Sequence, residues 1–106
     1  MTTSVFKVDK FVVPAASINT FVEKLAETHS FLDDMEGCLQ NLILTRENGL
    51  ASYSVVTIVE WRDQACFDHA KSLAAERHRA NGFDPATMID ALGIHADLGN
   101  YRVVEH

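Results

Sequence analysis

The segment CLQNLILTRENGLASYSVVTIVEW, residues 38–61, decides the fold of this chain. Two apolar runs meet in it at Asn48-Gly49, the dipeptide that best tolerates positive φ at both central positions of a type I′ turn. The segment therefore predicts a β-hairpin. A turn centred on Asn48-Gly49 places Leu42 opposite Val55, and a bulge would shift that register by one residue.

Strand-like and helix-like patterns flank the hairpin on both sides. Runs of β-branched and aromatic residues indicate strands, apolar residues spaced by three or four indicate helices, and Pro, Gly and Asp mark the ends. The order is β-α-β-β-α-(α)-β, an α+β ferredoxin-like βαββαβ fold with a four-stranded antiparallel sheet. The predicted elements are a strand at 4–13 closed by Pro14, a helix from Ala15 to Gly37, the hairpin, a helix from Asp63 to Gly82, a short helix from Asp84 to Gly93, and a strand at 100–106.

Length, charge and cysteine content bear on the number of domains, the partners and the location of this chain. With 106 residues, we expect one domain over residues 1–106. The net charge is −6, and its basic residues are scattered, so neither nucleic acid nor a membrane is an expected partner. Two cysteines and an N-terminus without an apolar signal sequence favour a cytoplasmic location.

The third predicted strand, residues 52–61, carries large apolar side chains on both of its faces. A sheet with one face in water should alternate between apolar and polar residues. Leaving four or five such side chains in water would cost about 1.5 to 3 kcal/mol each, so we expect a homodimer that covers this face. The alternative is that polar residues such as Asn41, Ser54 and Glu60 make the face tolerable to water.

Established catalytic motifs are absent from the sequence. It has no glycine-rich phosphate loop, nucleophile elbow or HExxH motif, so most enzyme classes lose support. Cys66 and His69 are three residues apart on a predicted helix, but no further ligands complete a set, so no metal site is expected. Lys7 and Asp9 are interpreted as exposed residues at a strand edge.

Histidines and one tryptophan are the candidate site residues. His29 lies on the inward stripe of its helix, either as a core histidine bonded to a backbone carbonyl or as a base in a pocket. His69 and His78 are nine residues apart and lie on different helix faces, and periodicity does not say which points inward. Trp61 either completes the core or forms the wall of a site for a flat aromatic ligand.

The chain resembles the antibiotic biosynthesis monooxygenase family of dimeric α-β barrels. The resemblance covers residues 4–104, and VTIVEW at 56–61 carries most of it. Haem-degrading members have an asparagine and a tryptophan where this chain has Asp9 and Ala70, so haem degradation is not expected. The other matching features are FVVP ending at Pro14, the helix Phe21 to Thr28, Glu36-Gly37-Cys38, Asp63, Ala65, Phe67, and the stretch from GFDP to LGIHADLGNY.

This resemblance implies a dimeric α-β barrel that oxidises a small aromatic substrate, such as a quinol, an anthrone or a polyketide, with O₂. Such chemistry needs no flavin or metal, because the deprotonated substrate itself reduces oxygen. Trp61 would orient the ring, together with Phe67 and Tyr53. His29 or His78 would act as the base.

Two alternatives remain open on the sequence alone. One is a non-catalytic dimer that binds a small ligand or acts in stress, because Phe67 stands where polyketide-oxidising members have a tyrosine. The other is an isomerase or a protein acting on aldehydes, which would also use a single base. A pocket lined only by apolar groups would favour the binding protein.

Overall fold

The computed structural model describes residues 3–106. Its four strands form one antiparallel sheet in the order β2-β3-β1-β4. This arrangement confirms the predicted α+β ferredoxin-like fold. The elements are β1 Val5–Pro14, a 3₁₀ turn Ala15–Ser17, α1 Ile18–Leu32, β2 Cys38–Gly49, β3 Ser52–Trp61, α2 Gln64–Ala80, α3 Pro85–Ala91 and β4 His95–Tyr101.

The helices lie on one face of the sheet, and the odd-numbered residues of β1 and β3 point toward them. Most of these residues are buried, with Val13 and Val55 at 0% exposure. The even-numbered residues of the same strands are half-buried or exposed on the other face. The buried residues form two clusters, Val5, Val59, Trp61, Phe67 and Ala70 at one end, and Phe11, Val13, Phe21, Val55 and Ile94 at the other.

Aspartate side chains cap two helices as the sequence predicts. The Asp63 carboxylate accepts a hydrogen bond of 2.9 Å from the backbone N–H of Cys66 at the start of α2. The Asp84 carboxylate accepts one of 3.1 Å from Ala86 at the start of α3. Each cap satisfies a backbone donor that has no partner within its helix. None of the helices within residues 3–106 is long and apolar enough to cross a bilayer.

The predicted hairpin exists, but its turn and register differ from the prediction. Leu50 and Ala51 occupy the turn with φ of 49° and 61°, and a bulge lies between Glu47 and Gly49. Leu42 pairs with Ile58 instead of Val55, a shift of three residues. The prediction of a turn centred on Asn48-Gly49 is therefore wrong.

The register shift follows from which face of each strand the helices cover. Paired residues in neighbouring strands lie on the same face of a sheet, so an odd shift exchanges the two faces. The predicted register would place Leu42 beside Val55, which is fully buried under the helices. The observed register instead puts Leu42 beside Ile58 on the uncovered face and Asn41 beside Val59 on the helix face. As a consequence, Leu50 and Ala51 adopt the left-handed backbone conformation, which is unfavourable for these residue types.

The fourth strand lies at His95–Tyr101, and the predicted strand at 100–106 is wrong apart from its first two residues. Tyr101 pairs with Phe6, one residue from the start of β1. The chain beyond Tyr101 therefore has almost no strand left to pair with, and Val104 is 80% exposed. The prediction relied on the β-branched residues of the tail, but β-strand propensity does not reveal where the partner strand ends.

Candidate functional site

A cavity of about 570 Å³ lies between the sheet and the three helices. Its walls come from β1, β3, β4 and all three helices. The size is in the range of small-molecule sites, and most of the wall is apolar or aromatic. The strands contribute Lys7, Asp9, Phe11, Thr57, Val59, Trp61, Leu98, Gly99 and Asn100, and the helices contribute His29, Phe67, Lys71 and His78 among others.

Four of the five candidate site residues line this one cavity. His29 comes from α1, Phe67 and His78 come from α2, and Trp61 ends β3. Tyr53, at the start of β3, is not among the lining residues. The exposed His69 on α2 is not among them either, so His78 is the α2 histidine that shares the cavity with Trp61.

Trp61 and Phe67 belong both to the core and to the cavity wall. Their exposures are 2% and 6%, and they pack in one cluster with Val59. Trp61 therefore completes the core and also lines the cavity, and its contact with a flat aromatic ligand stays a prediction. A wall built from core residues holds its shape without a ligand, which favours binding of a flat ring.

His29 is oriented by Asn41, a residue of β2 that the sequence does not identify as part of the site. The Asn41 amide nitrogen donates to the backbone oxygen of His29 and to the Asp33 carboxylate, both at 2.7 Å. These two acceptors fix the amide orientation, so the Asn41 oxygen must accept from Nδ1 of His29, 2.6 Å away. The network thus assigns the proton to Nδ1 and leaves Nε2 as the acceptor.

The His78 side chain is held differently. Its ring lies 5.2 Å from the Phe83 ring in an edge-to-face arrangement. The Lys24 ammonium lies 4.4 Å from the centre of the same Phe83 ring. Within residues 3–106 no hydrogen bond to the His78 imidazole fixes its tautomer, in contrast to His29.

Lys7 and Asp9 lie inside the cavity, so their interpretation as exposed strand-edge residues is wrong. Strand β1 is central, paired with β3 on one side and β4 on the other. Both side chains share the helix-facing side with Val5 and Phe11, and their spacing of two residues from these apolar residues is the signal in the sequence. Lys7 Nζ lies 2.5 Å from Asp9 Oδ2.

The two cysteine thiols are free but not activated. Burial raises the pKa of the Cys38 thiol. A hydrogen bond to the Asp63 carboxylate raises the pKa of the Cys66 thiol. Raised values keep both groups protonated at neutral pH, so neither is a ready nucleophile. Among residues 3–106, no cluster of three or more His, Cys, Asp or Glu residues could hold a metal ion.

Solved structures share this fold along nearly the whole chain. A candidate monooxygenase from Shewanella loihica PV-4 is 22% identical with a TM-score of 0.71, covering 100% of this chain and 99% of its own. SnoaB, a cofactor-independent oxygenase from Streptomyces nogalater, is 20% identical with a TM-score of 0.60, covering 99% and 97%. A candidate antibiotic biosynthesis monooxygenase from Deinococcus radiodurans is 12% identical with a TM-score of 0.71, covering 96% and 94%.

A dimeric ferredoxin-like protein from an uncultured marine organism also matches, at 14% identity and a TM-score of 0.69, covering 97% and 98%. At these identities the similarity establishes the fold, which is the one that the family resemblance implies. No family model and no curated protein matches the chain.

Proposed function

We propose that this protein is a cofactor-independent monooxygenase that oxidises a small aromatic substrate of the quinol, anthrone or polyketide type with O₂. The observation that carries the proposal is His29, which lines a cavity walled by Trp61 and Phe67 and whose Nε2 is left as the proton acceptor. The shared fold with SnoaB, described as a cofactor-independent oxygenase, supports the same chemistry.

The reaction begins with removal of one proton from the substrate by Nε2 of His29. The resulting electron-rich anion passes one electron to O₂, and the radical pair combines into a peroxide. For an anthrone, loss of water from that peroxide converts the CH₂ group into a carbonyl, and the imidazolium returns its proton to the leaving oxygen. The net change is one O₂ consumed and one water released.

The apolar walls contribute by excluding water. Trp61 and Phe67 stack against the ring, and desolvation raises the energy of the anion that reduces oxygen. His78 is the second candidate base, on the α2 side of the cavity. Polar groups of Lys7, His29 and Asn100 also reach the cavity, which favours an enzyme over a protein that only binds an apolar ligand.

We include a homodimer in the proposal. The sheet face opposite the helices carries exposed Val12, Leu42, Leu44 and Tyr101, each between 39% and 47% exposed. A second copy packed on this face would cover the side chains that the helices leave in water. A cytoplasmic location also belongs to the proposal, because free thiols are typical of a reducing compartment.

Oxygen uptake by the purified protein with a panel of hydroquinones and anthrones tests the activity. We expect oxygen uptake faster than the uncatalysed rate. Under anaerobic conditions we expect no oxidised product. His29→Ala should lower the rate of oxygen uptake strongly. His69→Ala is the matched control, because His69 does not line the cavity. Uptake that persists in the double variant of His29→Ala and His78→Ala would remove both bases from the mechanism. Anaerobic turnover of the substrate would refute the monooxygenase assignment.

A further inference from the structure

We propose that Lys7 is the anchor for an anionic oxygen of the ligand, so that the cavity selects aromatic molecules that carry a carboxylate or a phenolate. The proposal rests on the function above only in taking this ligand to be the substrate. The anchor itself can be tested by binding alone.

The side chains that line the cavity carry more positive than negative charge. Three lysines line it, Lys7, Lys24 and Lys71, and the one lining carboxylate is Asp9. Lys24 is paired with Glu27 at 3.4 Å, which leaves Lys7 and Lys71 against Asp9. The chain as a whole has a net charge of −6, so this excess of positive charge runs against the average of the molecule. A positive cavity in a negative protein attracts anions locally.

Lys7 is the lysine placed at the floor of the cavity. Its neighbours across the strands are Val59 of β3 and Asn100 of β4, both of which also line the cavity. Its side chain is 38% exposed, so the ammonium reaches open space and is not sealed in the core. The ammonium carries three N–H donors and gives one to Asp9, which leaves two for a ligand.

Asp9 is the counterion that Lys7 requires in the absence of a ligand. Its side chain is 13% exposed, and its Oδ1 is buried without a hydrogen-bond partner within residues 3–106. A carboxylate in that position neutralises Lys7 but is itself incompletely satisfied. An anionic ligand therefore competes with Asp9 for the same ammonium, which predicts effects of opposite sign for the two residues.

The register of the sheet sets the distance between anchor and base. Asn41 of β2, Val59 of β3 and Lys7 of β1 stand side by side in one row across the sheet. Two strand spacings, about 10 Å, therefore separate the backbones of Lys7 and of Asn41, the residue that contacts His29. A fused-ring aromatic is long enough to place its anionic oxygen at Lys7 and its reacting edge near His29.

Calorimetric titration with 2-naphthoate and its neutral isostere 2-naphthamide tests the anchor. The wild-type protein should bind the anion about tenfold or more tightly than the amide. Lys7→Met should abolish this preference, Lys7→Arg should retain it, and Asp9→Asn should strengthen it. Lys10→Met, on the exposed face of the same strand, is the matched control and should leave the preference unchanged.

Lys7→Met leaves Asp9 without its counterion, so a second variant protects the test against loss of folding. Lys7→Met combined with Asp9→Leu removes both charges, and it should bind both probes equally. Equal affinities in the wild-type protein, or a preference that survives both Lys7→Met variants, would overturn the anchor. Neither probe is a hydroquinone or an anthrone, so the binding test does not depend on turnover. If the protein prefers the anionic probe but shows no oxygen uptake with the hydroquinones and anthrones, the oxygenase is refuted and the anchor stands.

Discussion

Nδ1 of His29 lies 2.6 Å from the amide oxygen of Asn41, and this contact determines which imidazole nitrogen can accept a proton. The partners of the Asn41 amide nitrogen, the His29 carbonyl and Asp33, prevent the amide from turning over. Asn41 therefore acts as a positioning residue for the proposed base, although it is not among the residues that line the cavity.

Replacing Asn41 should change the tautomer of His29. In Asn41→Ala we expect Nε2–H to become populated, and the turnover number to fall about tenfold or more with little change in KM. Long-range ¹H–¹⁵N NMR spectra of the imidazole measure the tautomer directly. Asp33→Ala removes one acceptor of the Asn41 amide nitrogen but keeps the Asn41 oxygen for Nδ1–H, so it should retain the wild-type tautomer. A His29 that stays protonated on Nδ1 in Asn41→Ala would contradict the assignment.

Gly37 is a position where only glycine fits. Its φ is +83°, and a Cβ built there would lie 2.5 Å from the Sγ of Cys66. Gly37→Ala should therefore lower the free energy of unfolding by roughly 2 kcal/mol or more, since it adds overlap to the strain of left-handed backbone. Gly82 has a φ of +65° with nothing within 4 Å, so Gly82→Ala is the control for backbone strain alone. Chemical denaturation compares the two, and equal losses would show that the Cys66 contact does not matter.

The hairpin turn can be improved. Leu50 and Ala51 occupy left-handed conformations that favour Asn and Gly, and Leu50 is fully exposed. The double replacement Leu50→Asn and Ala51→Gly should raise the unfolding free energy by about 1 kcal/mol. Thermal unfolding measures the change. A lower melting temperature would indicate that this turn is not the one formed in solution.

Stability should depend on the ionisation of Asp63. The backbone N–H of Cys66 donates to its carboxylate and, with the Cys66 thiol, lowers the pKa of Asp63 below the ordinary value near 3.8. A lowered pKa stabilises the fold above about pH 4, and this contribution is lost as the pH falls through the lowered value. Asp63→Asn keeps a capping oxygen but does not titrate. The difference in melting temperature between wild type and Asp63→Asn should therefore shrink below pH 4, and a constant difference would contradict it.

The uncovered sheet face gives a direct test of the homodimer. Leu44 of the edge strand β2 is 47% exposed on that face, and a charge there would be buried in the proposed interface. Leu44→Glu should convert the dimer into a monomer at micromolar concentration, as measured by sedimentation velocity. Val104→Glu, in the exposed tail, should remain a dimer. A wild-type protein that sediments as a monomer under these conditions would exclude the interface.

Local sequence determined most of the secondary structure. Asp63 and Asp84 cap their helices because a cap needs only a side chain and a backbone N–H two or three residues away. The inward position of His29 followed from helical spacing in the same way. The two apolar faces of β3 likewise followed from alternation along one strand.

Tertiary structure decided the register and the composition of the site. The hairpin register depends on which faces of β2 and β3 meet the helices, and no local property of Asn48-Gly49 contains that information. The same register brings Asn41 under His29 and aligns it with Lys7. These residues come from three different elements. Their chemistry arises from strand order and pairing, which long-range packing sets and sequence spacing does not.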